Sequence, residues 1–227
     1  MSDQIALPQR IAWSLLIVVI VGLIGASLWK RSGPAVGGSS GDLAAPGINV
    51  GKESVPKDHV FGDVHDFSLS DQHGNKQTLQ NFKGFVWVAD FVFTRCAGNC
   101  LLMTESMIAL ERELSGESGL VKFVSVSVDP NYDTAEVLQK YARVRGADKP
   151  NWFFLTGSKS EIYRIMHDDF KLPIAENSGS TDEPITHSAK LALIDRRGRI
   201  RGYYSGMEAE TMKDVAAEVL KLLREKE

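Results

Sequence analysis

Nine residues, Phe85-Val-Trp-Val-Ala-Asp-Phe-Val-Phe93, run almost without a polar side chain and without the alternation of a half-exposed strand. A strand of that kind is buried on both faces, so it needs a sheet with layers packed on each side. The flanking sequence supplies such layers. A turn, Asn81-Phe-Lys-Gly84, precedes the run. Before it, Phe67-Ser-Leu69 and Gln77-Thr-Leu79 flank Asp71-Gln-His-Gly-Asn75, a hairpin signal. After it, Met103, Met107, Leu110 and Leu114 recur at helical spacing and predict a helix over residues 99–114, ended by Gly116 and Gly119. Residues 121–128 read as the next strand, and Asp133 or Thr134 caps a helix running to about residue 144. Residues 152–155 form a short strand, Ser158 caps a helix to residue 168, and residues 172–186 read as a polar loop. A hairpin of residues 189–195 and 200–204 turns at Arg196-Arg-Gly198, and residues 208–226 form a last amphipathic helix. Strands alternating with helices, closed by a hairpin and a helix, make an α/β layer fold with a mixed sheet.

The chain has 227 residues, 43% hydrophobic and 24% charged, which suits one globular domain of about 150–170 residues plus an appendage. The net charge of -3, with no long basic block, gives nucleic-acid binding no electrostatic support. The appendage is N-terminal. Residues 11–29 are nineteen positions without a charge, between Arg10 and Lys30-Arg31. As a helix they span ~28 Å, close to the ~30 Å hydrocarbon thickness of a bilayer. Trp13 and Trp29 lie near the two ends, where indole rings favour the interface. The run exceeds the ~7–15 apolar residues of a cleaved signal peptide, so a retained transmembrane anchor is expected after a short tail of residues 1–10. Cations flank the run on both sides, so charge alone does not set its orientation. Residues 30–57, with Gly33-Pro34, Gly37-Gly-Ser-Ser-Gly41 and Pro46-Gly47, read as a flexible linker reaching roughly 25–30 Å. The folded domain is then residues 58–227.

Cys96 and Cys100 are the only cysteines, four residues apart, where the apolar strand gives way to a helix. One helical turn places both sulfurs on one face. So close a pair suits redox chemistry or a soft metal better than a structural crosslink; the plain alternative is two buried thiols acting as small apolar residues. Arg95 and the helix N-terminus would favour thiolate at Cys96. A third group decides between the uses. His187, in Thr186-His-Ser188 just ahead of the strand at 189–195, reaches the thiol loop if that strand neighbours residues 85–93. Two thiolates and one imidazole favour Cu(I), whereas zinc prefers four ligands. His59, His65, His73 and His167 have no comparable setting and read as solvated. Asp129 reads either as a turn residue or as one that orients a ligand or faces a partner.

The segment Phe93-Thr-Arg-Cys96-Ala-Gly-Asn-Cys100 resembles the copper loop of the SCO/SenC family of cytochrome c oxidase assembly proteins. Leu79-Gln-Asn-Phe-Lys-Gly84, Val124-Ser-Val-Ser-Val-Asp129-Pro130 with Asp133-Thr134, Thr156-Gly157, and Thr186-His187-Ser188 with Leu193-Ile-Asp195 and Gly198 follow that family's pattern in order. The resemblance implies a thioredoxin-like fold with extra elements. It implies copper, as Cu(I) with Cu(II) left open, on Cys96, Cys100 and His187, in a domain facing the periplasm or an equivalent space. It further implies delivery to the CuA subunit of an oxidase, or thiol–disulfide exchange with partner cysteines through a redox-active Cys96–Cys100 pair. The chain departs from the family at Ala97, Gly98, Leu101 and Thr186, where Pro, Asp, Pro and Asp are common. A general dithiol oxidoreductase is a poorer match, because such enzymes place two residues between the cysteines and this chain has three. A thioredoxin-superfamily peroxidase needs Thr-x-x-Cys, which Thr94 and Arg95 before Cys96 do not give.

Overall fold

The structure is a computed structural model that describes residues 59–96, 98–176 and 185–225. The expected anchor at residues 11–29 and linker at 30–57 lie outside the described residues. Among the described residues no helix is long and apolar enough to cross a membrane.

Among the described residues ten strands and four α-helices follow in order: β1 (Gly62–Asp63), β2 (Leu69–Ser70), β3 (Lys76–Gln77), β4 (Val86–Val92), α1 (Asn99–Glu113), β5 (Val121–Ser127), α2 (Ala135–Arg145), β6 (Trp152–Leu155), α3 (Lys159–Arg164), β7 (Ile174–Glu176), β8 (Ile185–His187), β9 (Lys190–Ile194), β10 (Arg199–Ser205) and α4 (Met212–Arg224). The main sheet has the order β1-β10-β9-β4-β5-β6. Strands β4, β5 and β6 are parallel, whereas β9 runs antiparallel to β4 and β10 to β9. This is the mixed α/β sheet of a thioredoxin-like fold.

The apolar run becomes the central strand, and every residue of β4 is buried. Its side chains alternate between two cores. Val86 and Val88 pack with Met103, Met107 and Leu110 of α1, Leu138 of α2 and Val215 and Val219 of α4. Trp87, Ala89 and Phe91 face the opposite layer, with Phe82, Ile162 and Phe170. Helix α2 starts on Thr134, whose hydroxyl accepts from the Val137 amide, and stops at Gly146 in the left-handed region (φ 71).

The early hairpin forms as expected, β2 pairing with β3, and Asp71 organises its tip by accepting the amides of His73 and Asn75 (both 2.9 Å). It also closes the outer edge of the main sheet. The buried Gln72 amide donates to Trp152 O (3.0 Å) and accepts from Phe154 N (2.9 Å), while Ser70 pairs backbone to backbone with Thr156. Gln72 thus takes the place of a neighbouring strand on β6.

Two expectations change. The stretch read as a polar loop over residues 172–186 contains β7 and the start of β8, which pair from Ile174↔His187 to Glu176↔Ile185. The helix from Ser158 leaves α-geometry after Arg164 and continues as a π turn, Ile165–Asp169. That turn delivers the Asp169 carboxylate to His65, whose Nδ1 lies 2.7 Å away. His65 is therefore exposed but tethered, rather than simply solvated.

Candidate metal centre

The site lies at the carboxyl ends of the parallel strands, where an open α/β sheet presents its crevice. Strand β4 ends at Val92, and the chain turns through Phe93, Thr94, Arg95 and Cys96 before α1 begins. Cys100 sits in the first turn of α1 and is fully buried; Cys96 is half-buried, and both thiols are free. His187 is the last residue of β8. Its Nε2 lies 3.2 Å from the Cys100 sulfur. The other ring nitrogen, Nδ1, lies 3.1 Å from Ser188 O. A carbonyl only accepts, so Nδ1 carries the proton and donates, leaving the Nε2 lone pair to accept the Cys100 S–H. Burial lowers the His187 pKa and so favours the neutral ring, against the opposing pull of the Ser188 carbonyl. Phe93 packs edge-to-face against the imidazole at 5.8 Å between centroids and fixes its plane.

Cys100 does not behave as a helix N-terminus alone dictates. Cys100 is pushed upward, chiefly by burial, with the neighbouring Cys96 side chain adding to it and a backbone hydrogen bond at Phe93 opposing it. Desolvation outweighs the helix dipole, so Cys100 rests as a thiol in the metal-free protein. Arg95 does not aim at the sulfurs. Its Nη2 donates to Asp129 Oδ2 at 2.5 Å, and its guanidinium stacks on Tyr132, 4.5 Å from the ring centroid.

Asp129 does form a turn, its carbonyl accepting the Tyr132 and Asp133 amides, but its carboxylate holds Arg95. Asp133 does not cap α2, because Thr134 does. Fully buried, it accepts the Thr94 amide (3.1 Å), the Thr94 hydroxyl (2.5 Å) and the Ser127 hydroxyl (2.6 Å). Burial raises its pKa, and these hydrogen bonds oppose the rise.

Beneath the site stands Asp90 in β4, fully buried, with neither carboxylate oxygen hydrogen-bonded. Ser125, its register neighbour on β5, lowers its pKa without reaching hydrogen-bond geometry; its hydroxyl oxygen accepts from Trp152 Nε1 (3.0 Å). Desolvation dominates and lifts Asp90 to about 7. Sequence reasoning passed over this residue, although a lone acid inside an apolar run was visible.

Among the described residues no group of three or more His, Cys, Asp or Glu side chains is closed to metal-binding distances. The preassembled part is the pair Cys100–His187, with Cys96 on the loop beside it. The donors are soft sulfur and neutral imidazole, the chemistry that suits Cu(I).

Residues 59–224 match the SCO1/SenC family. The chain belongs to that family. The SCO1 protein homolog of Bacillus subtilis (strain 168) is 34% identical over 164 residues, covering 72% of this chain and 84% of the relative. A solved structure of BsSco, described as a member of the Sco family of cytochrome c oxidase assembly proteins with a disulfide switch, superposes with a TM-score of 0.66 at 32% identity, covering 74% of this chain and 97% of the other. Bradyrhizobium japonicum ScoI, solved with copper bound, shares the fold with a TM-score of 0.61 at 23% identity, covering 70% of this chain and 99% of the other. Within this SCO1/SenC domain, Thr186 is exposed on β8 and Leu101 is half-buried on α1. Neither departure from the family pattern displaces Cys100 or His187 from their contact.

Proposed function

We propose that the protein is a membrane-anchored copper chaperone that holds Cu(I) on Cys96, Cys100 and His187 and passes it to the CuA site of a respiratory oxidase. The reading rests on one observation, the 3.2 Å approach of His187 Nε2 to the Cys100 sulfur with the ring's other nitrogen committed to Ser188. Copper is the cargo. Its arrival displaces the thiol protons of Cys96 and Cys100 to solvent, and the unprotonated Nε2 of His187 keeps its lone pair to serve as a ligand. The buried pair gives a fixed floor; the half-buried Cys96 gives the edge through which an incoming acceptor thiolate exchanges. Copper in related structures of this fold supports the same reading. Residues 11–29 form the anchor, 30–57 the tether, and the domain from 58 onward faces the periplasm or an equivalent space, where a copper thiol pair meets its acceptor. A competition titration between the reduced protein and a Cu(I) chelator, without oxygen, tests the site. Wild type takes up one Cu(I), and His187→Ala weakens it at least tenfold with the fold intact; equal affinity in the variant removes His187 from the site.

A second reading, a tethered thiol–disulfide reductase, is favoured by the free, neighbouring thiols and by the disulfide switch described for BsSco. In that step Cys96 and Cys100 lose two protons and two electrons to a partner disulfide and join as a disulfide. Rapid catalytic reduction of an unrelated disulfide protein would favour it over the chaperone.

A further inference from the structure

The three side chains of the proposed site are held in different ways. Cys100 is fixed by complete burial in the first turn of α1, and its carbonyl accepts the Thr104 hydroxyl (2.9 Å). His187 is fixed by the β7–β8 pairing and by Ser188. Cys96 belongs to no helix or strand; its own amide donates to Phe93 O at 3.3 Å. The two residues immediately before it are tied instead to the end of the adjacent strand. Thr94 donates twice to Asp133, from its amide to Oδ2 and from its hydroxyl to Oδ1. Arg95 donates to Asp129. Both aspartates leave from the turn that follows β5, whose last residue, Ser127, pairs in register with Val92 of β4. Ser127 completes the anchor, its hydroxyl donating to Asp133 and accepting the Asp129 amide (3.1 Å). A charged acceptor with three donors, removed from solvent, makes stronger hydrogen bonds than a surface turn does.

We propose that Asp133 is a positioning residue for the Cys96 thiol, acting through Thr94 and seconded by the Asp129–Arg95 pair. The anchor holds the Cys96 arm within reach of Cys100 and His187, so little ordering remains when a metal or a disulfide forms. The inference rests on the assignment of Cys96 and Cys100 to one site, but not on copper. Two constants follow from the arm's position: the Cu(I) affinity, and the equilibrium by which the two thiols give two electrons and two protons to oxidised dithiothreitol and form a disulfide.

Thr94→Val keeps the shape and removes the hydroxyl; Thr94→Ser keeps the hydroxyl; Asp133→Asn keeps the shape and removes the charge. All three are made in the full chain and purified in detergent, with thermal melting recorded alongside. Losing a hydrogen bond to a charged group predicts a drop of about tenfold in Cu(I) affinity for Thr94→Val and Asp133→Asn, with recovery in Thr94→Ser. In the metal-free protein, the disulfide equilibrium moves by a comparable factor in the same two variants and returns in Thr94→Ser. Should both constants stay within twofold of wild type in Thr94→Val while its melting temperature falls, Asp133 serves the fold alone and the proposal fails. Equal losses in Thr94→Ser and Thr94→Val overturn it as well. A wild-type chain that binds no Cu(I) sinks the copper reading, and the disulfide equilibrium then still tests the arm.

Discussion

Replacing Asp90 by asparagine changes the pH dependence of stability in a way that follows from one number. In the fold the Asp90 carboxyl ionises at about 7, against an ordinary 3.8 in the unfolded chain, because desolvation penalises the charged form. Below pH 3.8 both states hold the proton and nothing is lost. Between the two values the unfolded chain releases the proton and the folded chain keeps it, so stability falls as pH rises. Above about 7 both are ionised and the loss is complete. At about 1.4 kcal/mol per pH unit, the whole window amounts to about 4 kcal/mol. Asparagine has no such proton and leaves the same cavity filled, at the cost of its own unpaired amide, a penalty of about 1–3 kcal/mol that does not vary with pH. The difference in unfolding free energy between Asp90→Asn and wild type therefore grows in favour of the variant by about 2–3 kcal/mol from pH 5 to pH 8. Urea unfolding of the reduced proteins at several pH values measures it, and other titrating groups, His187 included, cancel in the comparison. Parallel stability curves for the two proteins would refute the claim that a buried, unpaired carboxyl sits in β4.

Three further outcomes follow from the fold and the site. Gln72→Ala strips two buried hydrogen bonds from the edge of β6 and costs about 1–3 kcal/mol in denaturant unfolding, with Cu(I) affinity unchanged. Gly146→Ala puts a Cβ on a residue at φ 71 and costs about 1 kcal/mol by the same assay, with no change at the thiols. Burial lowers the His187 pKa below the ordinary 6.5 and so favours the neutral ring in the metal-free protein; a proton NMR titration of its ring should show a midpoint below 6.5, and a midpoint above that value contradicts the buried tautomer.

The sequence carried the architecture because the decisive signals were local. Residues 85–93 could only be a doubly buried strand, and Met103, Met107 and Leu110 mark the inner face of α1 without reference to the rest of the chain. The meeting of Cys100 and His187 was legible at one remove, since it needed only that β9 lie beside β4. Strands β7 and β8 were not legible. They are three residues each, flanked by polar sequence, and are stabilised by pairing with each other rather than by a pattern of their own. Residue type offers both Thr134 and Asp133 as the α2 cap; Thr134 takes that role and Asp133 does not. Its actual partners, Thr94 and Ser127, come from the ends of two neighbouring strands, and nothing within its own segment announces them. The π turn at Ile165–Asp169 likewise depends on what it reaches, the exposed His65.

X-ray absorption at the copper edge of the reduced, Cu(I)-loaded protein tests the central claim most directly. The account predicts two sulfur ligands and one imidazole nitrogen, with the nitrogen scattering lost in His187→Ala. A shell of sulfur alone in the wild type, unchanged by that substitution, would contradict it.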